Sequence, residues 1–155
     1  MFEVLAFVYE NYWGADSCPE LPVLQRKLNA LGFASPEVIN ALLWLEDLQS
    51  ATHHIGPPAQ ACSPGAAAKR VFTAAEQARL GRQGWGLLTF LMQIGALTPD
   101  RLELVIERAL ATPNQSIHVD DLKLVVLMVF WSLGEEPDAL VLDELCDSCV
   151  DRLPC

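Results

Sequence analysis

The sequence lacks an apolar segment long enough to cross a membrane. Its most apolar run, Leu122–Leu133, includes Lys123 and Ser132, and it is much shorter than the roughly 20 residues that a spanning helix needs. The start of the chain also lacks a basic region followed by an apolar stretch, which is the pattern of a secretory signal. We therefore expect a cytoplasmic protein with no membrane-spanning part.

Positive charge is scarce as well. The 155 residues include 10 Lys and Arg against 20 Asp and Glu, which gives a net charge of −10. Because nucleic-acid binding depends on Lys and Arg meeting phosphates, this balance disfavours a nucleic-acid partner. The exception is a central cluster of Lys69, Arg70, Arg79 and Arg82. We interpret this basic cluster as solvated surface. The alternative is a nucleic-acid-associated protein that uses the cluster together with a small β-ribbon wing at residues 70–72 and 116–118.

Patterns of catalysis and of metal binding are also missing. The sequence has no G-x-S-x-G elbow, no glycine-rich phosphate loop and no second C-x-x-C pair. Its one such pair, Cys146 and Cys149 with Cys155 nearby, can supply part of a tetrahedral zinc site. The missing further ligands favour ordinary helix cysteines instead. We predict no catalytic residue, no metal site and no cofactor. A further alternative is an enzyme whose site has no recognisable sequence pattern.

Helical patterns cover most of the chain and predict an all-α fold. Residues 1–50 divide into three amphipathic segments, at about Phe2–Trp13, Glu20–Leu31 and Ser35–Gln49. Gly32 supplies a left-handed stop after the second segment. We predict that this part of the chain forms a small three-helix bundle.

Residues 51–68 differ in composition, with three prolines, two glycines and no charged residue. Such a stretch is typical of a linker or mobile loop. His53 and His54 fall within it, and we interpret them as solvated loop histidines rather than metal ligands. Residues 69–155 are then expected to form a second, multi-helix module.

The second module contains clear helix starts. Thr73 and Glu76 match a capping box, a group of three glycines then kinks that helix or starts a new one, and Thr98 followed by proline opens the next. Two short β-prone stretches, 70–72 and 116–118, could pair as a tiny two-stranded ribbon. A further helix begins at Asp120 or Asp121 and stops at Gly134, and an acidic last helix runs over about Pro137–Arg152.

The Leu122–Leu133 helix is apolar on all sides, whereas a surface helix has one polar face. We predict that it is the central helix of the second module, or that a second copy of the chain shares it in a homo-oligomer. Lys123 is expected to snorkel or to pair with an acid such as Glu107.

Five blocks carry a resemblance: Met1–Leu5, Leu31–Phe33, Ile39–Glu46, Val105–Leu110 and Asp120–Val129. In combination they resemble the bacterial Smg family, a family without an assigned function, and the match covers nearly the whole chain. The resemblance implies a small cytosolic bacterial protein. It supplies no reaction, cofactor or catalytic residue to carry over.

The third predicted helix holds the candidate partner-binding residues. Glu37, Asn40, Trp44 and Asp47 form its outward stripe at 100° per residue. Trp44 has too much apolar surface to remain in water, so it either docks on the second module, which we favour, or anchors a partner. The sequence therefore predicts a non-catalytic protein-interaction module with an unknown protein partner.

Overall fold

Seven α-helices make up the described part of the chain. The computed structural model describes residues 1–12, 19–54, 73–112 and 115–146. No strand occurs in these ranges, and the predicted all-α fold is confirmed. None of the helices found there is both long and apolar enough to span a bilayer. In chain order they are α1 (Phe2–Asn11), α2 (Leu21–Ala30), α3 (Ser35–His54), α4 (Ala74–Gln93), α5 (Pro99–Leu110), α6 (Val119–Leu133) and α7 (Ala139–Cys146).

Two helices begin where capping signals predicted. The Thr73 hydroxyl accepts a hydrogen bond from the Glu76 N–H at 3.3 Å, and the Glu76 carboxylate accepts one from the Thr73 N–H at 2.9 Å. The Thr98 hydroxyl accepts from the Arg101 N–H at 3.4 Å. Because these oxygens satisfy N–H groups that have no partner inside a helix, they fix the first turns of α4 and α5.

The start of α6 differs from the prediction. His118 holds the cap position, and its Nδ1 accepts a hydrogen bond from the Asp120 N–H at 3.4 Å. Asp120 and Asp121 lie in the first turn instead, where the positive end of the helix dipole favours negative charge. The predicted stop is confirmed, since Gly134 adopts a left-handed φ of 67° that favours glycine.

Three predictions change: the end of α3, the short strand at 116–118 and the start of α7. Helix α3 continues to His54, so the first four residues of the predicted linker are helical and His53 and His54 lie on the last turn. The rest of that linker, and residues 70–72 of the predicted ribbon, fall outside the described residues. At 116–118 no strand forms, because the Ile117 N–H donates to the Arg79 carbonyl oxygen of α4 at 2.8 Å. Helix α7 begins at Ala139, and its predicted course beyond 146 is not described.

Helix α6 is central to the structure. Leu122 and the whole of Leu124–Trp131 are buried, and α6 packs against α1, α3, α4, α5 and α7. The predicted burial on all sides is therefore confirmed. The covering helices come from both halves of the sequence, not from the second module alone. They belong to the same chain, so the burial of α6 does not require a second copy.

Close contacts hold the neighbours of α6 in place. The indole Nε1 of Trp131 donates to the main-chain oxygen of Tyr12, just after α1. Helix α4 is kinked at Gly81 (φ 70°, ψ 175°) and then lies so close to α6 that a Cβ at position 84 would be 3.0 Å from Cδ2 of Leu122. One hydrophobic core thus includes residues from α1 to α7.

Lys123 of α6 pairs with an acid, but not with the predicted one. Its Nζ lies 3.4 Å from Oε1 of Glu144 in α7. Glu107 instead contacts the neighbouring Arg108 on its own helix, at 3.3 Å. The predicted pairing with an acid is therefore confirmed, with Glu144 in place of the suggested Glu107, because sequence spacing does not reveal that α7 packs beside Lys123.

Candidate functional site

A groove of about 610 Å³ opens between the end of α4, the start of α5, the end of α6 and the start of α7. Its apolar lining includes Phe90 of α4, Ile94 at the C-cap of that helix, Phe130 of α6 and Leu140 of α7. Phe130 is buried, whereas Phe90 and Ile94 are about half exposed, at 47% and 49%. Leu140 is 82% exposed, more than any other large apolar residue in the described part of the chain.

Local sequence explains how α4 forms one wall. Phe90 and Ile94 are four residues apart, so they lie on the same side of a helix one turn from each other. Gly95 then turns the chain back with a φ of 76°, and the Ala96 N–H donates to the Leu91 carbonyl oxygen at 2.9 Å. This tight turn leaves the Phe90 side of α4 facing the groove.

The opposite wall is formed by the first turn of α7. Asp138 begins it: its Oδ1 accepts from the Leu140 N–H at 3.1 Å, and its carbonyl oxygen accepts from the Leu142 N–H at 2.8 Å. Val141 points inward and is buried, which leaves Leu140, one residue earlier, directed away from the core. The exposure of Leu140 is therefore fixed by the packing of its neighbour.

The rim of the groove is acidic. Four acids line it, Glu135, Glu136, Asp138 and Glu144, against Arg101 as the one basic residue among the lining side chains. Arg101 is held within the chain: its Nη2 lies 2.5 Å from the Glu135 carboxylate, and its guanidinium stands 5.7 Å from the centre of the Phe130 ring. A surface with this charge attracts cationic groups and repels phosphates and carboxylates.

The predicted partner-binding stripe of α3 is divided between core and surface. Trp44 is 4% exposed, and its Nε1 donates to the Arg108 carbonyl oxygen of α5 at 3.0 Å. This is the intramolecular docking that the sequence favoured. Asp47 is exposed and approaches the Arg108 guanidinium at 3.7 Å. Glu37 and Asn40 are exposed, and the Glu37 carboxylate lies 3.9 Å from the N-terminal amine.

Arg108 is a buried cation that the sequence did not single out. It is 7% exposed, and its Nε and Nη1 have no hydrogen-bond partner within the described part of the chain. The nearby carboxylates of Asp47 and Glu107 supply the opposite charge. Arg108 lies one turn after the buried Leu104 on α5, and no local pattern marks a charged residue at that position as buried.

The basic cluster is only partly at the surface. Arg79 turns inward, where Nη1 donates to the Leu110 carbonyl oxygen at 2.6 Å and Nη2 to that of Thr112 at 3.0 Å. The Leu110 carbonyl is the last of α5 and that of Thr112 follows just after the helix, so the guanidinium lies at the negative end of the helix dipole. Arg82 is exposed, and positions 69 and 70 lie outside the described residues. Arg79 therefore caps the C-terminal end of α5.

The candidate metal ligands are mostly beyond the described residues. Cys146 is the last residue of α7, while Cys149 and Cys155 are not described. In the ranges that the structure covers, no three His, Cys, Asp or Glu side chains stand close enough to hold a metal ion. The weak zinc candidate thus lies mostly outside the described residues and stays a prediction.

Comparison with known proteins identifies the family. The model of the family described as "Protein of unknown function (DUF494)" matches residues 1–153. The chain belongs to this family. A Protein Smg homolog from Methylibium petroleiphilum is 48% identical over 154 residues, and one from Leptothrix cholodnii is 45% identical over 154 residues, with 99% of each chain covered in both cases. One from Herminiimonas arsenicoxydans is 40% identical over 148 residues, covering 94% of this chain and 92% of its own.

The resemblance to the Smg family is thus confirmed along nearly the whole chain of this DUF494 member. No solved structure matches it significantly. The groove was not predicted from the sequence, since its apolar residues come from three separate helices and no local pattern brings them together. The usable signal in the sequence was the pair of large apolar residues Phe90 and Ile94, spaced one helical turn apart just before Gly95.

Proposed function

We propose that this DUF494 protein is a non-catalytic, cytoplasmic interaction module that binds another protein at the groove between α4 and α7. The supporting observation is that Phe90, Ile94 and Leu140 expose large apolar surfaces within one concave site. Clustered apolar surface of this kind, with a charged rim, is typical of protein-binding sites. Covering such surface gains about 25 cal/mol per Å².

The charged residues of the groove support binding more than catalysis. Arg101 pairs with Glu135, Asp138 caps α7, and Glu144 pairs with Lys123. Each of these groups has a structural partner, whereas a general acid and base need a shared, water-poor cleft in which a proton can be exchanged with a substrate. The acidic rim and the inward position of Arg79 also favour a protein over a nucleic acid.

Site-specific photo-crosslinking in the native host tests the proposal. The photoreactive residue p-benzoylphenylalanine replaces Leu140 in the groove or, as a matched control, Leu43 of α3, which is also an exposed leucine at 55% but lies outside the groove. We expect a specific protein adduct from position 140, identified by mass spectrometry, and none of that adduct from position 43. The same adducts from both positions, or none from position 140, would contradict a partner site at the groove.

A further inference from the structure

The chemistry of the groove also defines what kind of segment binds there. We infer that the occupant is a basic amphipathic α-helix of another protein, with apolar residues on one face and Lys or Arg beside them. This inference rests on the proposed function, because it names the chemistry of the partner that the groove binds. Three features of the groove carry it: its charge, the ends of the surrounding helices and its walls.

The charge of the groove comes from more than its side chains. Helices α4 and α6 both end at the groove, where Ile94 and Glu135 follow their last turns and line it. The C-terminal end of a helix carries a partial negative charge of roughly half an electron. The N-terminal end of α7 faces the same site with the opposite sign, but the Asp138 carboxylate caps it. The acids of the rim and the C-terminal ends of α4 and α6 therefore both attract a cation.

The walls favour a helix over an extended peptide. The described lining contains no β-strand: it consists of parts of helices α4 to α7 and of the connecting residues 94–96 and 135–138. An extended segment would therefore find no strand edge there with which to form a regular ladder of main-chain hydrogen bonds. A helix carries its own backbone hydrogen bonds, and residues spaced i, i+4 and i+7 on one face can cover Phe90, Ile94 and Leu140.

Other occupants fit less well. A small molecule inside the groove would leave Leu140 in water, since that side chain stands at the rim and is 82% exposed. Phosphate-bearing ligands would meet the acids of the rim. A second copy of this chain would bring another net charge of −10 toward the first. A cationic helix both covers Leu140 and offsets the charge.

Selection from a library of random peptides tests the inference with the purified full-length protein. Peptides of about 16 residues form helices of roughly 24 Å, enough to cross the groove. We expect enriched sequences to combine helical apolar spacing with Lys and Arg, and to show helical circular dichroism when bound. Their binding should weaken with added salt, as screening predicts. Enrichment of acidic, neutral or proline-rich peptides, or of none, would overturn the inference.

Matched pairs of variants distinguish specific binding at the groove from the general attraction of a basic peptide to an acidic protein. Leu140→Lys should weaken an enriched peptide at least ~10-fold, while Leu43→Lys, which adds the same charge at another exposed leucine, should change its affinity less than ~2-fold. Glu136→Lys and Glu46→Lys form a second pair, one at the groove and one on α3. Because all four side chains are exposed, the variants should fold, which circular dichroism checks.

Equal losses of affinity at the groove and control positions would also overturn the inference. So would self-association of the wild-type chain, measured by light scattering, that Leu140→Lys abolishes.

The proposed function and the further inference fail in different ways. A partner crosslinked at position 140 whose contacting segment is neither basic nor helical keeps the proposed function and removes the inference. The absence of any adduct at position 140 removes the proposed function itself.

Discussion

The indole Nε1 of Trp44 donates a hydrogen bond to the main-chain carbonyl oxygen of Arg108, at 3.0 Å. The bond joins α3 to α5 across 64 positions of the sequence. Both residues are buried, and the Arg108 guanidinium also approaches Asp47 of α3. Trp44 and Arg108 therefore join α3 directly to α5, in addition to the packing of α1 and α3 on α6.

Replacing Trp44 should lower the free energy of unfolding in two steps. Trp44→Phe removes the donor and leaves a buried carbonyl unsatisfied, a loss of about 1–3 kcal/mol. Trp44→Ala also removes most of the buried ring, for about 3–5 kcal/mol. Urea unfolding followed by circular dichroism measures both. Leu43→Ala, at the neighbouring exposed leucine, is the control and should cost less than ~0.5 kcal/mol. Similar losses at positions 43 and 44 would show that Trp44 does not hold α3 to α5.

Arg79 and Arg82 should differ sharply although both belong to the basic cluster. Arg79→Gln removes the guanidinium that donates to the Leu110 and Thr112 carbonyl oxygens, and we expect a loss of about 2 kcal/mol. Arg82→Gln, at an exposed position, should change the free energy of unfolding by less than ~0.5 kcal/mol. Chemical denaturation compares the two. If both variants were as stable as the wild type, Arg79 would be a surface residue in solution.

Two glycines of α4 should respond in opposite directions. A Cβ at position 84 would lie 3.0 Å from the Leu122 side chain, whereas one at position 86 would have no atom within 4 Å. Gly84→Val should therefore push α4 away from α6 and cost about 1–3 kcal/mol. Gly86→Ala should gain roughly 0.5–1 kcal/mol, since alanine loses less backbone entropy in a helix. Thermal unfolding of both variants checks the signs. A more stable Gly84→Val protein would mean that α4 and α6 are not in close contact.

The predicted linker can be tested by limited proteolysis. Residues 51–68 contain no Lys or Arg, so trypsin cannot cut inside them and thermolysin is the suitable protease. We expect its first cut between positions 55 and 68, because the sequence predicts a loop there. The two fragments should still elute together in gel filtration, since α1 and α3 pack against α6. First cuts within a helix would contradict the linker, and separated fragments would contradict the shared core.

The elements that the sequence predicted well are those with a local cause. Thr73 and Thr98 cap helices because their hydroxyls reach N–H groups three residues ahead. Gly134 stops α6 because of its own φ. The burial of Leu124–Trp131 follows from a pattern with no polar face. None of these depends on where another helix lies.

The rest depends on contacts between distant segments. A helical wheel shows that Trp44 needs cover, but not that its partner is the Arg108 carbonyl oxygen. Lys123 was predicted to need an acid, and α7 supplies Glu144 in place of Glu107. The groove likewise could not be predicted from local sequence, because its walls come together only when α4 and α7 pack on α6.

The contact of α1 with α6 has a consequence for how the chain is made. On the ribosome α1 emerges before both helices that cover it. Helix α3 follows soon, whereas α6, with the Trp131 indole that bonds to the Tyr12 oxygen, follows more than a hundred positions later. At ~5–20 residues per second, α1 waits on the order of 10 s for α6. During synthesis the side of α1 that packs on α6 therefore stays uncovered until translation has passed α6.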